Sequence, residues 1–280
     1  KDTKILIVGL GLIGGSYARA LSRQGYYVGG ISRSQETVDY ALKNGFIATG
    51  STEVSQATVS GYDLVVLALY PSKMSGWIKK YQHLIKDGAV ITDVSGVKCS
   101  IVYKIQEMLR PGLEFISAHP MAGREKSGIR NADDGVFRGA NYLVTPTAAN
   151  SEAAIQLSEE LGRTLGFSRI SRISPELHDE MIAFLSQLTH CIAVALMTCR
   201  DCTHFSAYTG DSFRDLTRIA RINDEMWSEL FTQNKEQLLT QMDLFSGQLS
   251  RLRDAVARGD IDTMREMMKL STERRAYFDK

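Results

Sequence analysis

A doubly wound α/β domain followed by an all-helical domain is the fold this sequence predicts, and three observations predict it. From Lys4 to about Ile173 short apolar runs alternate with amphipathic segments of helical length, as strands and crossover helices do in a mostly parallel sheet. Beyond Ile173 only Pro175 and three glycines, Gly210, Gly247 and Gly259, interrupt a helical texture that runs to Lys280. The apolar run Lys4 to Val8 leads directly into Gly9-Leu10-Gly11-Leu12-Ile13-Gly14, the turn that opens a Rossmann-type dinucleotide-binding sheet. At roughly 150 residues per domain, the 280 residues divide into a dinucleotide-binding domain, 1–172, and an all-helical domain, 173–280.

Strands are expected at Ile5 to Val8, Tyr27 to Ser32, Leu64 to Leu69, Ala89 to Asp93, Phe115 to Ala118 and Tyr142 to Val144. Between them a helix follows the glycine turn to about Gly25, and Ser34 caps another that ends near Gly45. Pro71 starts a third, and Ser151 with Glu152 opens one that stops before Gly166. Ser174 and Pro175 form a cap and first turn, from which helices are expected over Pro175 to Cys202, Ser212 to Gln233, Lys235 to Arg258 and Ile261 to Tyr277. Leu238, Met242, Phe245, Leu249 and Leu252 recur at three- and four-residue spacing, an apolar stripe of the kind that seeks a second chain.

Charge and composition remove several classes of function. Lysine and arginine number 33 against 32 acids, so the broad basic excess of a nucleic-acid binder is missing. The longest uninterrupted apolar runs, Leu64 to Tyr70 and Cys191 to Met197, fall short of the roughly 18 to 20 residues of a membrane helix, and no membrane partner is expected. Four cysteines, three of them close together, suit reduced thiols in the cytoplasm. Cys199-Arg200-Asp201-Cys202-Thr203-His204 has the look of a zinc half-site but lacks a second cysteine pair, so core packing is the better reading and no metal is expected.

The glycine turn carries the strongest chemistry. Gly9 permits the tight turn, Gly11 lets the backbone approach a pyrophosphate, and Gly14 lets helix pack on strand, while Leu12 and Ile13 begin the helix whose N-terminus faces the anion. The second strand would ordinarily end in an acid that holds the ribose hydroxyl of NAD; here it ends Ser32-Arg33-Ser34. Two hydroxyls and a guanidinium suit a 2′-phosphate, so NADP is preferred over NAD. His119 stands at a strand end where ligands of open α/β sheets gather, and Asp93-Val94-Ser95-Gly96-Val97-Lys98 ends another strand with a hydroxyl and a cation. The residues alone leave open whether these are catalytic or structural. The same is true of Arg214, Arg218 and Arg221, which share one face of a continuous helix, and of His178 and His190 on the helix before it.

Four motifs in order decide the matter by resemblance: the glycine turn; His119-Pro120-Met121-Ala122-Gly123 with Glu125-Lys126-Ser127-Gly128; His178-Asp179 through Ser186-Gln187-Leu188-Thr189-His190; and Phe213-Arg214-Asp215-Leu216-Thr217-Arg218-Ile219-Ala220 followed by Met226-Trp227. Over essentially its whole length the chain resembles the prephenate/arogenate dehydrogenase family of tyrosine biosynthesis. The resemblance implies that His119 is the catalytic base, that Arg218 binds a substrate carboxylate, and that His190, Glu125 and Trp227 line or gate the pocket. It implies a homodimer built on the helical domain, and prephenate, or alternatively arogenate, as substrate. The family's serine before the Val-Lys pair is displaced here: Gly96 occupies its place and Ser95 stands one earlier, so Ser95 is expected either to reach the same point or to leave that contact unmade. The 6-phosphogluconate and 3-hydroxyacid dehydrogenases carry a catalytic lysine in the first long helix, and Pro175 to Cys202 contains none. A dinucleotide-binding protein without catalysis would leave His119 and Arg218 idle.

Overall fold

The computed structural model describes residues 2–123, 126–201 and 203–279. Six parallel strands form the first sheet: β1 (Lys4–Val8), β2 (Tyr27–Ile31), β3 (Thr49–Ser51), β4 (Leu64–Leu67), β5 (Val90–Asp93) and β6 (Glu114–Phe115), ordered β3-β2-β1-β4-β5-β6. The order reverses between β1 and β4, and in such sheets the crevice at that switch point takes the ligand. The crossovers are helical: α1 (Leu12–Arg23), α2 (Gln35–Lys43), the single turn α3 (Gln56–Val59), α4 (Pro71–Tyr81) and α5 (Val102–Met108).

Side chains alternate along a strand, and both faces of this sheet are covered. Ile5 and Ile7 of β1, with Leu64 and Val66 of β4, pack with Tyr17 and Leu21 of α1. Leu6, Val8, Val65 and Leu67 pack on the other face with Met74 and Ile78 of α4 and Ile105 of α5. This is why the central strands read as unbroken apolar runs rather than as an alternation.

The stretch expected as one strand, Phe115 to Ala118, is two. Ile116 N–H makes a last bond to the Ile91 carbonyl at 3.0 Å. The chain then leaves the parallel sheet and runs as β7 (Ser117–Met121) antiparallel to β8 (Asn141–Thr145), which pairs in parallel with β9 (Arg169–Arg172). No glycine or proline marks the change, so the sequence hides it. β3 and β9 are also absent from the sequence reading. Both are short edge strands, Thr-Gly-Ser and Arg-Ile-Ser-Arg, with too little apolar content to stand out. Between β8 and β9, α6 (Glu152–Leu165) begins on the expected cap, where Ser151 Oγ accepts from Ala154 N–H at 3.2 Å, and stops at Gly166, whose φ of +92° closes the helix in the left-handed region.

From Pro175 the chain is helical: α7 (Pro175–Ile182), a wide π-helical turn over Ala183–Leu188, α8 (Thr189–Thr198), α9 (Asp211–Thr217), α10 (Asp224–Gln233), α11 (Lys235–Arg258) and α12 (Ile261–Arg275). The single helix expected over Ser212 to Gln233 is broken. After one 3-10 turn, Arg218–Ala220, Arg221 is extended and Asn223 restarts the helix by accepting from Met226 N–H at 3.0 Å. An asparagine side chain competes with the helical ladder in this way. Arg214, Arg218 and Arg221 therefore do not share one helical face, and Arg214 pairs with Asp211 at 2.8 Å.

Pro175–Thr198 is continuous, and its most apolar 18-residue window reaches a mean hydropathy of 1.7, long and apolar enough by composition to cross a membrane. Counting unbroken apolar runs misses this, because the window tolerates scattered serine, threonine and glutamine. Of that window 28% is buried, and Asp179, His178 and Gln187 of the helix are buried and hydrogen-bonded. Cys199, exposed at the helix end, is not core packing, and Cys202 lies outside the described residues. By proximity the chain forms two compact units, Lys1–Asn234 and Lys235–Lys280. The change from sheet to helix at 172/173 falls inside the first.

Candidate active site

Gly9 follows β1 with φ +98°, and a Cβ there would stand 2.3 Å from the Ala68 carbonyl oxygen, so both backbone and space demand glycine. A Cβ on Gly14 would strike the Gly9 carbonyl at 1.9 Å, while one on Gly11 would meet nothing within 4 Å. Gly11 is the N-cap of α1 and contributes no side-chain cap. The first-turn N–H groups, those of Leu12 and Ile13 among them, are therefore left for an anion at the positive end of the helix. This cradle fits the pyrophosphate of a dinucleotide.

Along the edge of the crevice, Ser32 is half-buried and Arg33 exposed. Ser34 Oγ accepts from Thr37 N–H at 3.3 Å and caps α2. The acid in the first turn of that helix, Glu36, pairs with Arg130 at 2.8 Å.

Asp93, at the end of β5, is fully buried and gathers four donors. Its Oδ1 accepts from Ser117 Oγ at 2.5 Å and Ala118 N–H at 3.2 Å, and its Oδ2 from Ser95 N–H and Lys98 Nζ, both at 2.9 Å. Lys98, equally buried, also donates to the Ala118 carbonyl at 2.6 Å. Burial pushes its pKa down, against the pull of Asp93. This pair pins the ends of β5 and β7 together one residue before His119. The cation of the 93–98 segment is thus a structural pin.

Because Ala118 faces the core, the alternation of β7 turns His119 to the opposite side, toward α7. There His119 Nδ1 lies 2.8 Å from His178 Nε2, and His178 Nδ1 lies 2.7 Å from Asp179 Oδ1. Asp179 further accepts Lys98 N–H at 2.9 Å and Cys99 N–H at 2.8 Å. Burial alone would raise the Asp179 carboxyl, but these bonds, His178 foremost, hold it below its ordinary value. Burial, then His178 and Lys98, depress the His119 pKa well below that of free histidine, and burial lowers that of His178 against the pull of Asp179. Both imidazoles are neutral at pH 7. The other ring nitrogen of His119, Nε2, lies 3.8 Å from where a Cβ on Gly96 would stand, with Leu230 of α10 equally close.

Ser95 sits in the same turn, buried, with its Oγ accepting from Val97 N–H at 3.3 Å. It is Gly96, not Ser95, that faces Nε2. On the helical side His190 stacks on Trp227, ring centroids 3.7 Å apart and planes inclined by 28°. Its Nδ1 is 2.8 Å from the Ser186 carbonyl. His178 and His190 are twelve positions apart, which an unbroken α-helix would place about 120° apart. The wide turn over 183–188 absorbs one residue and brings them to within about 20° of one face. Arg218 opens the 3-10 turn that packs against α8, the helix that carries His190. Glu125 lies outside the described residues. Sequence reasoning assigns no role to Asp179; a His-Asp pair in the first turn after the sheet was the signal.

The chain is similar to known proteins along its whole length. Residues 17–167 match a family described as the prephenate dehydrogenase nucleotide-binding domain, and residues 174–270 one described as the prephenate dehydrogenase dimerization domain. A cyclohexadienyl dehydrogenase of Zymomonas mobilis is 30% identical over 97% of this chain and 94% of its own length. A prephenate dehydrogenase of Bacillus subtilis is 29% identical over 98% of this chain and 76% of its own. Among solved structures, prephenate dehydrogenase from A. aeolicus in complex with hydroxyphenyl propionate and NAD+ superposes with a TM-score of 0.90 at 28% identity, covering 100% of this chain and 99% of that one.

Proposed function

Since the chain belongs to the prephenate dehydrogenase family, we propose that it catalyses the oxidative decarboxylation of prephenate to 4-hydroxyphenylpyruvate, in tyrosine biosynthesis. The observation that carries the reading is the neutral imidazole of His119, anchored through Nδ1 and facing Gly96 through Nε2, in a chain that also holds the glycine cradle. NAD(P), when bound, supplies the hydride acceptor. Gly9, Gly11 and Gly14 with the N–H groups of Leu12 and Ile13 hold its pyrophosphate.

His119 Nε2 accepts the proton of the C4 hydroxyl as that carbon becomes carbonyl-like. Loss of carbon dioxide returns the electron pair of the broken bond to the ring, which becomes aromatic, and His119 gives the proton back to the phenolate oxygen. No net proton is consumed on the protein. Arg218 binds a substrate carboxylate through its planar fork, and His190, Trp227 and Glu125 line the pocket. Ser95 serves this site by holding the turn that carries Gly96.

NADP is the preferred cofactor. Ser32, Arg33 and Ser34 at the start of α2 support this, together with the pairing of Glu36 by Arg130, which removes the nearest carboxylate from competition. The helical domain, 173–280, forms a homodimer: Met242, Phe245 and Leu249 of the apolar stripe are all exposed in the single chain. Unbridged thiols at Cys99, Cys191 and Cys199 suit the cytoplasm. Arogenate is the second reading, favoured by the broader name of the Zymomonas mobilis relative.

The test is a spectrophotometric assay of the pure protein with prephenate and arogenate, each with NAD and NADP. Reduction of NADP with prephenate is the expected outcome. No reduction with any pair overturns the reading, and reduction of NAD alone overturns the role of Arg33.

A further inference from the structure

We infer that Asp179 and His178 are positioning residues that set the tautomer of His119, forming a hydrogen-bonded relay that leaves the lone pair of the catalytic imidazole on Nε2. The inference deepens the function proposed above and rests on it for the identity of the reaction, though not for the relay itself.

The argument begins at the acceptor-only end. An ionised carboxylate has no proton to donate, and Asp179 is kept ionised by the donors that converge on it. The His178 nitrogen 2.7 Å away, Nδ1, must therefore bear hydrogen. His178 is buried and neutral, so its Nε2 carries a lone pair and can only accept. The partner at 2.8 Å, His119 Nδ1, must then be the donor. With its single hydrogen on Nδ1, neutral His119 presents a basic Nε2 toward Gly96. One carboxylate thus determines the protonation of two rings.

The groups that face His119 leave this assignment standing. α7 contributes His178 and Asp179, and the end of β5 and its turn contribute Asp93 and Lys98; Leu230 of α10, which lies beside Gly96, has no charge. Asp93 and Lys98 satisfy each other and the backbone around them. When Nε2 takes a proton, the imidazolium keeps its Nδ1–H donated to His178, and Asp179 remains ionised and stabilises the charge through the chain. The same carboxylate accepts Lys98 N–H and Cys99 N–H, so it also holds the turn on which Gly96 approaches Nε2.

Asp179→Asn is the sharpest test, because its size is unchanged and only one of its two terminal atoms can accept. With the amide oxygen kept on Cys99 N–H, the amide N–H is directed at His178, moves the His178 hydrogen to Nε2, forces His119 to accept at Nδ1, and places the His119 hydrogen on Nε2, where the base is needed. In the Ser-His-Asp triad the same kind of substitution costs about 10⁴ in kcat through the wrong tautomer. Here kcat is expected to fall by about 10² to 10⁴, with KM for the cyclohexadienol substrate within about threefold. Imidazole ¹⁵N spectra of the full chain should show His119 Nε2 bare in the wild type and protonated in Asp179→Asn. His178→Gln, which keeps an acceptor for His119 Nδ1–H, is expected to lose about tenfold in kcat, and His178→Phe, which removes it, about a hundredfold or more. This pair decides the question should Asp179→Asn fail to fold.

A kcat for Asp179→Asn within threefold of wild type, equal losses in the two His178 variants, or hydrogen on His119 Nε2 in the wild type would each overturn the relay. The spectra need no substrate. A wild-type protein that turns over neither prephenate nor arogenate, yet shows a bare Nε2, refutes the proposed reaction and supports the relay.

Discussion

The α/β part and the helical part bury their apolar surface by different means. In the first, each central strand has a helix on either face, and side chains as large as Tyr17, Tyr142 and Phe137 are wholly enclosed. In the second, α11 and α12 leave Leu244, Leu249, Val256 and Met268 more than half exposed. A sheet wound on both faces is complete within one chain, whereas long helices with few neighbours are not. The first region carries the glycine turn and His119 on an enclosed scaffold, while the second leaves apolar faces uncovered in the single chain.

The largest expected effect lies at the pin of the first region. Lys98→Met removes the cation from a wholly buried carboxylate, and breaking such a pair costs about 3–5 kcal/mol. Urea unfolding should show a midpoint lowered accordingly, and an unfolding free energy within about 0.5 kcal/mol of wild type would show that Asp93 is satisfied without it. A matched pair of substitutions comes next and sets the two regions against each other. His119→Asn should reduce kcat by about a hundredfold or more, at least some 2.7 kcal/mol and no less than Asp179→Asn does, and leave KM nearly unchanged. Arg218→Ala should raise KM for substrate about tenfold, some 1.4 kcal/mol, at nearly constant kcat. In the wild type kcat should fall in acid as Nε2 protonates, with a midpoint below the ordinary histidine value of about 6.5, since burial depresses this pKa. Loss of kcat rather than KM in Arg218→Ala would move that residue from binding to chemistry. The smallest effect on the fold of a single chain is expected at the stripe. Phe245→Glu with Leu249→Glu should change the secondary structure little but shift sedimentation from dimer to monomer, and an unchanged dimer would place the interface elsewhere.

Much of this was legible because it is local. Gly9 reports a positive φ and a close carbonyl, Ser34 and Ser151 report caps, and Pro175 reports a first turn; each is decided by the residue's own stereochemistry. The switch of sheets at Ile116 was not legible, since nothing in Phe115-Ile116-Ser117 distinguishes a strand that continues from one that changes partners. The break at Asn223 depended on a cap that competes with helix on nearly equal terms. In the site, His119 was visible as a strand-end imidazole, but its hydrogen-bonded connection through His178 to Asp179, sixty positions away, was not.

By itself the sequence determined the order of elements, the glycine cradle and the residue types from which the chemistry is made, because periodicity, caps and φ preferences act over a few residues. Only the tertiary structure decided that His178 joins His119 to Asp179, that Lys98 spends its charge on Asp93, and that Gly96 rather than Ser95 faces the base. Hydrogen bonds and ion pairs depend on position to within a fraction of an ångström, and that precision arises only when distant segments are packed against one another.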